Sequence, residues 1–307
     1  MPAVKGRLGV RLEEGPVVLD GGLATELEMR GHDLADSLWS ARLLRDDPDA
    51  IEAVHRTYFE AGADVAITAS YQVSYEGFAA AGIDRDETTC LLRLSVELAQ
   101  RARDAVRPDG LVAASVGPFG VVFANGTEYT GDYRGVADGE FAELHRPRIA
   151  ALLEAEPDLL AIETIPSIRE VAALEELLAE FPGVEAWMTF CCRDGERLSD
   201  GTPIEEAVRI AAGSARVVAV GFNCTPPQHI DSLLDRARAP TDLPLLVYPN
   251  NGRIWDSERR GWRGAGVAGF PATVVAGWRE RGAQGIGGCC GIGPAAIADV
   301  ARALRHA

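Results

Sequence analysis

The sequence is poor in several things, and each shortage excludes a class of function. No apolar run approaches the ~20 residues that cross a bilayer, so a membrane protein is not expected. There is no run of lysine and arginine either, and the 307 residues carry a formal net charge of -16. A positive field is what nucleic acid and anionic lipid surfaces require, so neither is an expected partner; the acidic surface serves solubility. Met1-Pro-Ala-Val-Lys-Gly-Arg7 has no apolar core of a secretory signal, and the expectation is a cytoplasmic protein. There, cysteines stay reduced and serve metals or catalysis more often than disulfides. Histidine is scarce: His32, His55, His145, His229 and His306 form no metal-spaced cluster, and no Ser/His/Asp or Cys/His catalytic arrangement stands out.

What is present is a repeating alternation. Short β-rich apolar runs are expected as strands at Val17 to Asp20, Val65 to Ser70, Leu111 to Val116, Leu159 to Thr164, Glu185 to Cys191, Val217 to Cys224, Leu245 to Tyr248 and Gly285 to Cys290. Between and after them lie stretches with apolar residues at helical spacing: Ile51 to Ala61, Thr88 to Val106, Phe141 to Glu154, Ile168 to Glu180, Ile204 to Ala212, His229 to Ala237, Pro271 to Arg281 and Pro294 to Leu304. Continuous apolar strands alternating with helices imply a parallel sheet covered on both faces. Eight such units predict an α/β fold, a (β/α)8 TIM barrel, as a single domain over residues 1–307; an open doubly wound sheet is the structural alternative. Long loops are expected after strands three (Gly117 to Gly135), five (Arg193 to Pro203) and seven (Asn250 to Gly269). All leave C-terminal strand ends, where barrel enzymes assemble their sites.

The six cysteines are unevenly placed. Strand six ends in Gly221-Phe-Asn-Cys224 and strand eight in Gly287-Gly-Cys-Cys-Gly291. In a closed barrel these strands are separated by one neighbour and open on the same face, so Cys224, Cys289 and Cys290 can converge. Three thiolates with a fourth position open make a catalytic zinc site. Adjacent Cys289 and Cys290 can share one ion only if the backbone kinks, and the flanking glycines permit this. Buried cysteines acting as small hydrophobes are the competing explanation. Cys191 and Cys192, a second adjacent pair, and Cys90, in a helical pattern, are read as packing. Gly264-Ala-Gly-Val-Ala-Gly269 spells a dinucleotide fingerprint but follows no expected strand, and is discounted.

These motifs resemble the homocysteine S-methyltransferase family. Ile286-Gly-Gly-Cys-Cys-Gly-Ile-Gly-Pro294, with the upstream Gly221-Phe-Asn-Cys224, looks like that family's zinc signature. Leu19-Asp-Gly-Gly-Leu-Ala-Thr-Glu-Leu27, Asp36-Ser-Leu-Trp-Ser40, Ala66-Ile-Thr-Ala-Ser-Tyr-Gln72, Ser115-Val-Gly-Pro118, Glu163-Thr-Ile-Pro166, Leu198-Ser-Asp-Gly-Thr-Pro203 and Val247-Tyr-Pro-Asn250 agree in order. His145-Arg-Pro147 also resembles the family, without an evident chemical role. The resemblance implies zinc-dependent methyl transfer from a sulfonium donor, S-methylmethionine or S-adenosylmethionine, to homocysteine, giving methionine.

On that reading Cys224, Cys289 and Cys290 are catalytic and metal-binding. Asp20 and Glu163, both at catalytic-face strand ends, suit an α-ammonium group. Gly21, Gly22, Thr68 and Ser70 offer N–H and hydroxyl groups to a carboxylate. Trp39 is the first choice to face the sulfonium, ahead of Tyr129, Trp255 and Trp262. Other readings are a betaine-dependent homocysteine methyltransferase, a zinc barrel hydrolase, and a cysteine-based zinc or redox sensor without catalysis. Oligomeric state cannot be read from the sequence.

Overall fold

A computed structural model describes residues 7–34, 38–123, 126–256 and 261–305. Asp36 lies outside the described residues, as do the side chains of Trp39, Trp255 and Trp262.

The eight expected strands all form, in the order β1 (Val17–Val18), β2 (Val65–Ile67), β3 (Leu111–Val116), β4 (Leu159–Ile165), β5 (Ala186–Phe190), β6 (Val217–Asn223), β7 (Leu245–Tyr248) and, last in the chain, β10 (Ala283–Ile286). The numbers skip a two-stranded antiparallel hairpin between them, β8 (Ile254–Asp256) with β9 (Gly261–Arg263). The eight-stranded sheet runs β1-β10-β7-β6-β5-β4-β3-β2, parallel throughout. A parallel bridge from Leu19 to Val65 joins its two ends, with Asp64 N–H donating to Val18 O at 2.7 Å and Asp20 N–H to Val65 O at 3.1 Å. Each strand is followed by a helix whose apolar stripe covers the sheet, and the molecule is a (β/α)8 barrel. Among the described residues no helix is long and apolar enough to cross a membrane.

Two layers of core follow from the period-two alternation of strand side chains. The interior set includes Val17, Leu19, Val65, Leu111, Ala113, Leu159, Ala161, Trp187, Ala219, Leu246 and Tyr248. The larger set lies between sheet and helices. A helix the sequence pattern did not reveal, Arg7–Glu14, closes the N-terminal end of the barrel. Its Leu8 and Leu12 join the interior set. Leu8 N–H donates to Glu185 Oε2 at 3.2 Å, Arg11 pairs with Asp64 at 3.2 Å, and Arg7 pairs with Asp158.

Strand ends are where expectation and structure part. β1, β2, β5, β6 and β10 stop one to four residues before the expected limit; at β1, β2, β6 and β10 the residues just beyond the strand end, among them Asp20, Thr68, Cys224 and Cys289, line the cavity described below. The three long loops sit at that end. The loop after β3 contains a 3-10 turn, Phe119–Phe123, and a short helix, Thr127–Thr130. The loop after β5 is pinned by bridges Cys192 to Leu198 and Arg197 to Pro203. The loop after β7 carries the hairpin. Cys90, expected in the core, is instead on the exposed face of helix Arg85–Val106, where Arg93 donates to its sulfur at 3.4 Å; helical periodicity alone did not decide its side. Cys191 and Cys192 are buried as expected.

Candidate active site

At the C-terminal mouth of the barrel, a cavity is walled by the ends of β1, β2, β4, β6, β7 and β10. Its sulfur end is built by two unusual backbone turns. Cys224 follows β6 with φ 48, a left-handed conformation that is costly for a residue with a Cβ. It is held there by Asn250 Nδ2 donating to Cys224 O at 3.0 Å and by Cys224 N–H donating to Tyr248 O at 3.3 Å. Cys289 and Cys290 lie beyond the end of β10, so they escape the alternation that would point them apart. Gly291, at φ +80, completes that turn, and its N–H donates to Thr25 Oγ1 at 2.8 Å. Gly287 is needed for a different reason from the one expected: a Cβ there would sit 2.6 Å from Leu19 Cβ and 2.7 Å from Asp20 O. It lets β10 press against β1.

The consequence is that Cys224, Cys289 and Cys290 place their sulfurs within 4.8 Å of one another. Cys290 Sγ is 4.0 Å from Cys224 Sγ and 3.9 Å from Cys289 Sγ, against about 3.8 Å between sulfurs around a tetrahedral zinc. Cys224 and Cys289 are joined as a disulfide in this structure; reduced, the three form a soft donor set on one side of a common point, which fits zinc. Burial pushes the Cys290 thiol up to about 12, against a bond from Tyr129 that lowers it, so without a cation this sulfur keeps its proton.

The opposite wall is acidic. Asp20 is 2% exposed and accepts from Ile67 N–H at 2.8 Å. Burial raises its carboxyl well above the usual range, a shift opposed by the Ile67 bond and increased by nearby Glu163. Glu163 is pushed up to about 7 by burial, against bonds from Ser115 and Tyr248. Two carboxyls held this far from water, with no basic side chain among the described residues of the cavity wall, suit a cation. Behind them, the Tyr248 hydroxyl meets Trp187 Nε1 at 3.1 Å and Thr189 Oγ1 at 2.6 Å. Thr189 Oγ1 donates to Asn223 Oδ1 at 2.9 Å. Asn223 in turn exchanges two bonds with Thr164, each 2.7 Å, and Thr164 also has a positive φ, 63.

Of the residues singled out in the sequence, Asp20, Gly21, Gly22, Thr68, Glu163, Cys224, Cys289 and Cys290 all line this cavity. Ser70 does not. Fully buried, it donates to Ser115 O at 2.7 Å and stands 2.7 Å from Thr68 Oγ1. Thr68 Oγ1 accepts from Ser115 N–H at 3.0 Å, so its own proton goes to Ser70. The two hydroxyls fasten β2 to β3 and have no proton left for a ligand. Gly21 and Gly22 let the turn after β1 lie against the cysteine loop: a Cβ on Gly22 would meet Cys289 O at 2.7 Å. Tyr129 is on the wall; so are Tyr71, Tyr248, Thr25 and Thr164, which were not singled out. Tyr71 and Tyr248 lie inside the quoted stretches Ala66 to Gln72 and Val247 to Asn250, and the available signal was a tyrosine at a C-terminal strand end.

Residues 17–304 match the family model described as homocysteine S-methyltransferase. The chain belongs to the homocysteine S-methyltransferase family. It is 46% identical over 298 residues to homocysteine S-methyltransferase YbgG of Bacillus subtilis, covering 94% of each chain. It is 46% identical over 289 residues to the homocysteine S-methyltransferase of Escherichia coli, covering 92% of this chain and 93% of that one. The E. coli homocysteine methyltransferase MmuM has solved structures described as oxidized and metallated forms. Both superpose with a TM-score of 0.87 at 44% identity, over 96% of this chain and 99% of theirs. As a family member the chain is an S-methyltransferase, and its cysteine cluster, its two carboxyls and its loops occupy the C-terminal face where barrel enzymes work.

Proposed function

We propose that this S-methyltransferase moves a methyl group from a sulfonium donor, S-methylmethionine or S-adenosylmethionine, to the sulfur of homocysteine, with zinc held by Cys224, Cys289 and Cys290. The observation that carries the reading is the sharing of one cavity by three clustered cysteine sulfurs and two buried carboxyls, Asp20 and Glu163. Soft and acidic ends on one cavity suit a small amino acid with a thiol at one end and an ammonium at the other. Zinc in the sulfur cluster would lower the thiol pKa of homocysteine and supply the nucleophile as a thiolate. A metallated form of a relative at 44% identity supports the metal.

The chain's own residues do the rest. Asp20 and Glu163 receive the α-ammonium; its charge offsets their burial, and they give up the protons that burial made them keep. With the hydroxyls of Thr68 and Ser70 spent on each other and the Gly22 N–H donated to Ile292 O, the carboxylate falls to the main-chain N–H of Gly21. The attacking sulfur, the methyl carbon and the departing sulfur must lie in line. Tyr71 and Tyr129 offer aromatic faces to the cationic donor. The donor leaves as a neutral thioether and needs no proton. Reduced cysteines suit a cytoplasmic protein.

The test is methionine formation from homocysteine and S-methylmethionine by the zinc-loaded enzyme, with S-adenosylmethionine and betaine as competing donors. Turnover with either sulfonium and none after exhaustive chelation is expected. Betaine used faster than both sulfoniums would overturn the donor assignment, and full activity without metal would overturn the zinc.

A further inference from the structure

The His145-Arg-Pro147 stretch lies on helix Asp138–Leu153, away from the cavity wall, yet it leads into a buried polar cluster too elaborate to be packing. His145, Arg148 and Glu170 are all fully buried. His145 Nε2 bonds Glu170 Oε1 at 2.8 Å, and Arg148 Nη1 approaches His145 Nδ1 at 3.4 Å. Glu170, on helix Ile168–Leu178, also accepts from Phe119 N–H and, at 2.9 Å, from the Tyr133 hydroxyl. That hydroxyl accepts from Gly120 N–H at 3.1 Å. Arg148 spends its two terminal nitrogens on main-chain carbonyls: Nη1 donates to Gly117 O and Nη2 to Tyr71 O, each at 3.0 Å.

Those two carbonyls belong to the turns that follow β3 and β2. Gly117 packs directly on Tyr71: a Cβ there would lie 2.9 Å and 3.0 Å from two carbons of the Tyr71 ring. The 3-10 turn that Glu170 holds at Phe119 leads to Tyr129, the other ring on the cavity wall. A buried guanidinium costs several kcal/mol in desolvation and is retained here with both of its main-chain acceptors, Gly117 O and Tyr71 O, on loops of the active-site face.

We infer that Arg148, oriented by His145 and Glu170, is a positioning residue for the donor side of the cavity: by holding the Tyr71 and Gly117 carbonyls it fixes where the Tyr71 and Tyr129 rings stand. This rests on the sulfonium reading for its kinetic consequence, but the positioning itself does not. Arg148 stays cationic at neutral pH although burial lowers it to about 10, and burial keeps His145 neutral.

Arg148→Met keeps the length of the side chain and removes both donors. The expected result is a donor KM raised about tenfold, with homocysteine KM and zinc content within roughly twofold of wild type. In the Tyr71→Ala background the same substitution adds nothing further, because the two act through one element. Hydrogen exchange provides a readout independent of turnover: faster exchange over 69–75 and 117–123, unchanged exchange over 217–223 and 245–248. If Arg148→Met does not fold, Arg148→Lys keeps a cation that reaches one carbonyl at a time and gives the same pattern more weakly. Equal changes in both KM values, effects that multiply with those of Tyr71→Ala, or exchange that rises across the whole barrel would each overturn the proposal. A wild-type enzyme that turns over no sulfonium would reject the donor reading alone, and the exchange pattern would still decide the role of Arg148.

Discussion

Glu163 illustrates how a single residue trades stability for binding. Burial pushes its carboxyl from the ordinary 4.5 up to about 7 in the folded state, so the folded protein prefers the protonated form. The stability present below pH 4.5 is therefore lost as pH rises and is fully missing above 7, a cost of about 3 kcal/mol. Glu163→Gln keeps an acceptor for Ser115 and removes the cost; its melting temperature at pH 8 should exceed that of wild type, with the gain vanishing near pH 4.5. The same variant should lose at least about a hundredfold in kcat/KM for homocysteine, roughly 2.7 kcal/mol of lost ammonium binding. For wild type, homocysteine KM should rise as pH falls below 7, because the carboxylate that meets the ammonium becomes protonated; a flat KM between pH 6 and 8 would contradict this. At the other wall, Cys289→Ala leaves two sulfurs, and the expected result is loss of both retained zinc, measured by elemental analysis, and methyl transfer.

At the level of elements, the sulfur end of the site depends on β6 and β10 ending early. Gly287 permits β10 to approach Leu19 and Asp20; Gly287→Ala should cost about 1–3 kcal/mol in denaturant unfolding and, by displacing Asp20, weaken homocysteine binding more than donor binding. The barrel and the cysteine cluster were legible in the sequence because they are repetitive or sharply patterned: eight apolar runs, and cysteines at the ends of two of them. Asp20 and Glu163 stood out by their places at the ends of strands one and four, and both line the cavity. Ser70 was misplaced because a strand-end hydroxyl reads the same whether it faces a ligand or a neighbouring strand, and only the bonds to Thr68 and Ser115 distinguish the two. The helix Arg7–Glu14 was missed because its two buried leucines, Leu8 and Leu12, are too few to show a period. The cluster around Arg148 was invisible because its members come from separate helices and loops and meet only in three dimensions.

Across the whole molecule the two ends of the barrel have separate duties. The N-terminal end is sealed by Leu8, fully buried against the interior core, far from the sulfur cluster at the opposite mouth. Leu8→Ala should therefore lower unfolding free energy by about 2–5 kcal/mol while leaving kcat/KM near the wild-type value; a large kinetic defect in the folded variant would show that the ends are coupled. The mouth, by contrast, is made from both termini of the barrel. β1 pairs with β10, Gly22 N–H donates to Ile292 O at 2.9 Å, and Gly288 N–H to Asp20 O at 3.0 Å. The turn that carries Asp20 and the cysteine loop thus hold each other, though one comes early in the chain and the other near its end. A chain still emerging from the ribosome, with Asp20 and Cys224 already made but residues 283–292 not yet delivered, has no ring to close and only scattered thiols to offer. If the cluster holds zinc as proposed, capture of the ion would be reserved for finished molecules, and a half-made barrel would have little with which to compete for it.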